Sequence, residues 1–206
     1  QDKTSIVKYT YTDKAKVKDG VIYHGILTSA EETQHGVIVT TDFFNTPTTT
    51  TTINTSEVTN GKPLVDYSTT ISKGENLDGS ASFSVSGIDY TYTDGKLTGV
   101  KDNAGFTILK ADLIAAGIKE DLLTKLPGVT VKSVVTSLDT YTFTSNISYS
   151  EDFFTNYTVT NVTNTYNAIL LKDHGIVKVD TAETKILSSY NMDGTTLQQT
   201  QSSKVQ

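Results

Sequence analysis

Alternation of apolar and polar residues with a period of two dominates this chain, the pattern of strands with one buried face. Ser5 to Thr12 (SIVKYTYT) alternates, Asp19-Gly20 signals a turn, and Val21 to Thr28 (VIYHGILT) answers it. Ser29 to Gly36 reads as a polar connection and Val37 to Phe44 (VIVTTDFF) as a third strand. Pro47 cannot donate to a ladder and marks an edge or a strand start, and the threonines after it continue as strand through Ile53. Asn60-Gly61 predicts a hairpin turn into Leu64 to Ile71, and Lys73 to Ser80 a loop. Ala81 to Val85 and Ile88 to Thr93 alternate as separate strands, and Asp94-Gly95, the clearest type I′ signal, returns the chain through Lys96 to Val100. Val129 to Val135, Leu138 to Tyr149 and Phe153 to Thr163 follow as strands. The longest apolar passage, Tyr166 to Asp180, is interrupted by Lys172-Asp173-His174-Gly175 and reads as two buried β segments or a central hairpin. Ile186 to Met192 is expected to pair across Asp193-Gly194 with Thr195 to Gln199, and residues 1–4 and 200–206 to fray.

One window alone has helical spacing, Ile108 to Leu126. Leu109, Leu113 and Ala116 share one face, and Ile118, Leu122 and Leu126 another. Asp112 and Glu120-Asp121 stand where acids favour a helix start, and Gly117 and Pro127-Gly128 are stop signals, so two short helices broken near Gly117 are predicted. The expected fold is a single, mainly antiparallel all-β domain over residues 1–206, a half-open β-barrel or sandwich with a short helical insertion near 108–126.

Short echoes recur. YTYTD begins at Tyr9 and Tyr90, DFF at Asp42 and Asp152, and His-Gly at His35 and His174. Their offsets disagree, so no fixed period is present, and chance in a chain rich in Thr and Tyr is the preferred reading over duplication.

Composition narrows the function classes. The 37 threonines and 11 tyrosines are strand-forming residues suited to a pleated, half-solvated face. Net charge is −6, and every basic residue is a lysine. Without arginine the chain lacks the bidentate group that reads phosphate and guanine, which argues against nucleic acid. Absence of Cys removes disulfides and thiolate ligands. The start Gln1-Asp2-Lys3, with Met192 the sole methionine, reads as a product from which a leader has been removed. An extracytoplasmic place, periplasmic or at the cell surface, is therefore expected, with any lipid anchor upstream of Gln1 and no transmembrane segment.

No residue stands out as catalytic, metal-ligating or ligand-binding, and no cofactor is expected. His24, His35 and His174 each precede Gly at spacings that make no local metal motif. No G-x-S-x-G elbow is present. Glu31-Glu32, Glu120-Asp121 and Glu151-Asp152 are neighbours that a strand would send to opposite faces, and solvated charge is their default. Asn54, Asn146, Asn156 and Asn161 satisfy N-x-[ST], a frequent match where Thr is abundant.

His174-Gly175-Ile176-Val177-Lys178 and the hairpin Ile186 to Gln199 resemble a group of Bacteroidetes secreted proteins and lipoproteins, although Asp173 stands where those proteins often carry another glycine. That resemblance implies the lipoprotein-carrier fold, a half-open antiparallel barrel with short helices plugging its concave face, and a place in the cell envelope. The resulting expectation is a non-enzymatic envelope protein holding a lipid, an acyl chain or another apolar ligand on the concave face of its sheet. The alternative is a surface glycan-binding or protein-interaction module using Thr and Tyr faces.

Overall fold

The structure, a computed structural model, describes residues 2–12, 16–23, 25–103, 105–124, 126–132, 139–196 and 200–204. Its first elements are set by turns and bends. β1 (Ile6–Thr12) precedes a hairpin of β2 (Lys16–Lys18) and β3 (Val21–Tyr23), closed by Asp19 and Gly20 at positive φ. β4 (Ile26–Gln34) pairs with β1, then bends at His35 into β5 (Gly36–Thr41). The expected polar connection 29–36 is thus mostly strand. Its inward position is Ala30, small enough to escape a hydrophobic count, between exposed Ser29 and Glu31.

β6 (Pro47–Thr59) and β7 (Lys62–Glu75) form a long hairpin about Asn60-Gly61, and Pro47 opens its strand. β8 (Ala81–Thr93) is one strand where two were expected, and β9 (Lys96–Asp102) returns across Asp94-Gly95. The chain then leaves the sheet for β10 (Phe106–Leu109), α1 (Lys110–Ala115), α2 (Glu120–Leu123), β11 (Val129–Val131) and β12 (Thr140–Phe143). The helices break at Gly117, whose φ is +85°, as the sequence predicts. Ile108 and Leu109 belong to strand, however, so the insertion carries its own three-stranded sheet, β10-β12-β11. The segment Leu138 to Tyr149 divides between β12 and the next strand, and residues 133–138 lie outside the described set.

β13 (Asn146–Glu151), β14 (Tyr157–Tyr166), α3 (Ala168–His174), β15 (Val179–Tyr190) and β16 (Thr200–Lys204) complete the chain. The long apolar passage is therefore a helix followed by the start of a strand, and a central hairpin is excluded. The local capping explains it. Asn167 accepts the Leu170 N–H, and Gly175, left-handed at φ +66°, donates to the Leu171 carbonyl while Ile176 N–H reaches the Leu170 carbonyl. Only Leu171 of this helix is buried; Ile169, Ile176 and Val177 are exposed. Thr200–Lys204, expected to fray, pairs with β15, so the partner expected at Thr195–Gln199 begins later; residues 197–199 lie outside the described set.

The main sheet is antiparallel and open, ordered β5-β6-β7-β8-β13-β14-β15-β16, with β9 also on β8. One edge of β8 serves two partners in succession. Residues 81–85 pair with β13 and residues 88–93 with β9. At the junction the buried Asn146 accepts the Gly87 N–H at 2.9 Å. Asp102, at the end of β9, binds across to β14 through the Asn164 N–H at 2.6 Å and the Tyr166 hydroxyl at 2.8 Å. The insertion leaves the sheet here and folds back over one face. Ile71, Val85, Ile147 and Val159 of the sheet meet Phe106, Leu113, Leu123 and Phe143 of the insertion in one core.

Four connections at one end of the sheet are built alike. They are Asp42–Thr46, Asn76–Ser80, Asp152–Asn156 and Asn191–Thr195. Each closes with an N–H at the fourth position bonding to the carbonyl at the first, and each has positive φ at the fourth: Asn45, Gly79, Thr155 and Gly194. In each, an Asp carboxylate (Asp42, Asp78, Asp152 or Asp193) accepts the N–H two residues on. The two DFF echoes fall on equivalent turns, and NLDGS at Asn76 and NMDGT at Asn191 on the turns that follow each of them. The sheet thus consists of two four-stranded meanders, β5–β8 and β13–β16, with the insertion between them. YTYTD has no such equivalence, lying in β1 and β8.

Two expectations follow. A Cβ at Gly87 would stand 2.7 Å from Phe106 Cδ1, and that ring is stacked on Phe143, so Gly87→Ala should cost about 1–3 kcal/mol, read as a lowered urea midpoint. Hydrogen bonds from the Thr46, Ser80 and Asn156 side chains and the Thr195 amide hold Asp42, Asp78, Asp152 and Asp193 below the usual carboxyl range. A depressed folded-state pKa gives stability above the unfolded value of about 3.9 that is lost as pH falls through the folded value. Thermal melts should therefore show loss of stability on acidification through that window, weaker in Asp152→Asn.

Candidate functional site

Period-two alternation on β8, β13, β14 and β15 sends one aromatic from each to the core face near the four-turn end. Register sets Phe83 opposite Tyr149 and Tyr157 opposite Tyr190, with Tyr149 and Tyr157 on the diagonal. The rings stack in sequence, with centroids 5.2 Å apart for Phe83–Tyr149, 5.7 Å for Tyr149–Tyr157 and 5.8 Å for Tyr157–Tyr190, and interplanar angles of 20–24°. Burial falls along this ladder. Phe83 and Tyr149 are in the core, Tyr157 is half-buried and Tyr190 is 47% exposed.

The insertion does not cover the end of the ladder. Between them lies a cleft of about 320 Å³, with Leu122, Leu126, Tyr157, Val159 and Tyr190 on its apolar surface and Lys119, Asp121, Glu151 and Thr155 as its polar groups. Tyr149 donates its hydroxyl to Glu151 Oε2 at 2.9 Å. The cleft therefore pairs aromatic and aliphatic carbon with two carboxylates, an ammonium and hydroxyls. This volume is at the small end of ligand pockets. The face expected to hold an apolar ligand is largely filled by Phe106, Leu113, Leu123 and Phe143.

A second pocket, of about 330 Å³, lies where β4 and β6 meet the insertion. Its rim holds His35, whose Nε2 is 3.3 Å from Asp112 Oδ1 and whose Nδ1 is 3.7 Å from Glu32 Oε2. Glu32 also accepts the Asn54 N–H. The side chain of Glu32 is 4% exposed, which overturns the expectation of solvated charge at this position; Glu31 does face solvent. Glu120 binds Lys110 Nζ at 2.6 Å, and Asp152 is held in its turn.

The remaining sequence candidates are separated. His35 lies at the bend between β4 and β5, His174 ends α3, and His24 lies outside the described residues. Among the described residues no group of three or more His, Asp or Glu is placed to hold a metal ion, and no helix is long and apolar enough to cross a membrane. Asn146 is buried on Gly87, and Asn156 binds Asp152 and the Met192 N–H, so these two sequon positions have structural work. Sequence reasoning missed the ladder, because nothing local in the chain says that Tyr149, Tyr157 and Tyr190 share a register.

No family model, no curated protein and no solved structure matches this chain.

Burial raises the Tyr67 hydroxyl to about 12. Burial, then the neighbouring Glu151 and Asp102, raise Tyr149 and Tyr166 further. A tyrosine with a raised folded-state pKa gives stability that is intact below the unfolded value of about 10 and lost as pH rises through the folded one. Alkaline titration followed by phenolate absorbance should show a late-ionising class above pH ~10 whose titration coincides with loss of circular dichroism. Ionisation of all tyrosines near pH ~10 in folded protein would contradict the buried ladder.

Proposed function

We propose that this chain is a non-enzymatic binding module that takes a short carbohydrate in the cleft between α2 and the aromatic ladder. The carrying observation is the ladder itself, which runs out of the core and ends in half-exposed Tyr190 beside Asp121, Glu151 and Lys119. A sugar ring has one face of C–H groups and a rim of hydroxyls. The ring of Tyr190, last in the ladder, matches the face, and the carboxylates accept from the rim. Two acids against one lysine favour neutral or amino sugars over uronic or sulfated ones.

An apolar ligand, such as an acyl chain, is the second reading. Leu122, Leu126 and Val159 favour it, yet the insertion fills most of that face and leaves such a ligand only small spaces.

Binding to a glycan array, followed by calorimetry on the best neutral sugar, tests the first reading. Tyr190→Ala should weaken affinity about tenfold, the loss of one aromatic anchor, with thermal stability nearly unchanged. An empty array together with an acyl chain retained in native mass spectrometry would transfer the cleft to the second reading.

A further inference from the structure

Four of the seven phenylalanines and the only methionine of the chain stand on the four like-built turns. Phe43, Phe44, Leu77, Phe153, Phe154 and Met192 are all exposed, from 63% to 95%. These positions are normally polar. Antiparallel connectivity places all four turns at the same end of the sheet, each two strands from the next. With strands about 4.8 Å apart, the turns follow one another at roughly 10 Å along an edge of roughly 30 Å. Neighbouring turns touch: Phe153 lies against Gly79, and the Met192 N–H binds Asn156.

We propose that this end of the sheet docks on a zwitterionic lipid bilayer, with the six apolar side chains inserted among the headgroups. The proposal goes beyond the sugar cleft and rests on different apolar residues. Three features select lipid over a protein groove. The apolar groups rise singly or in pairs from separate turns, an arrangement that a fluid surface accepts without a matching mould. Each turn satisfies its own backbone through an Asp carboxylate, so its tip can leave water without stranding the Phe44, Ser80, Phe154 or Thr195 amide. The charges in and beside the turns are Asp42, Glu75, Asp78, Glu151, Asp152 and Asp193 against Lys73 and Lys119, and Lys73 is bound by Glu75. An anionic surface repels such an end, whereas the outermost ammonium groups of phosphatidylcholine complement it.

The chain holds no Trp, so a single indole reports its own surroundings. Phe43→Trp and Phe154→Trp should each show blue-shifted emission with phosphatidylcholine vesicles and quenching by brominated acyl chains, unchanged by added salt. Ile169→Trp, exposed on α3 at the opposite end, should show neither. A variant with Phe43, Phe44, Phe153 and Phe154 all changed to Ser should keep its circular dichroism and melting temperature and lose vesicle flotation at least tenfold. The proposal fails if the wild-type chain does not float with these vesicles, if the three indoles respond alike, or if flotation needs anionic lipid and is reversed by salt. It also fails if the serine variant floats as well as wild type, or if the Phe residues prove to drive self-association in sedimentation without vesicle binding.

Discussion

The architecture depends on a close approach at Gly87. There β8 changes partner on one edge, from β13 to β9, and the Phe106 ring fills the place where a side chain would begin. The missing Cβ lets the insertion settle against the sheet, and Asn146 supplies the acceptor that the interrupted ladder fails to give Gly87. Asp102 fastens the other side of the gap, joining β9 to β14 where no backbone ladder spans them. Apolar burial by the insertion then follows, because Phe106 and Phe143 stack over the junction and carry α1 and α2 across the face.

This junction also determines what the sheet leaves open. The insertion covers Ile71, Val85 and Ile147 but stops short of the last rungs of the ladder, so the cleft lies where core packing gives way to solvent. Beyond it come the four turns. Their carboxylates hold tight reversals while side chains of any kind ride on the tips. At the opposite end, Asn60-Gly61 and Asp94-Gly95 make two-residue turns that carry no apolar side chain. The hairpin turns at the two ends of one sheet therefore differ in chemistry with their length.

Much of this was readable in the residues. Two-residue turns need positive φ twice, and Asn-Gly or Asp-Gly announces it, so the hairpins of β6 with β7 and of β8 with β9 were legible. So were the all-β antiparallel class and the helix break at Gly117. The passage from Tyr166 departs from its expected strands because a four-residue apolar run does not separate helix from buried strand by periodicity. The helix is marked at its ends, by Asn167 as the N-cap and left-handed Gly175 as the C-cap. The site was less accessible. A ladder of rings depends on register between strands far apart in sequence, and Glu32 is buried by a partner strand that its own neighbourhood does not name. The DFF pairs read as strand ends because Phe is a strand former; only the Asp before each hinted at a turn.

An open sheet has two flanks, and an exposed flank invites a neighbouring chain to add itself, the first step toward a fibril. One flank is closed off in part by the chain's own start, where Lys3 exchanges both backbone bonds with Val37. The other ends on β16, whose sequence is TQSSK. Five residues without one aliphatic side chain, closing on a lysine, offer a poor template for growth. Addition of a neighbouring strand is thereby disfavoured at this flank.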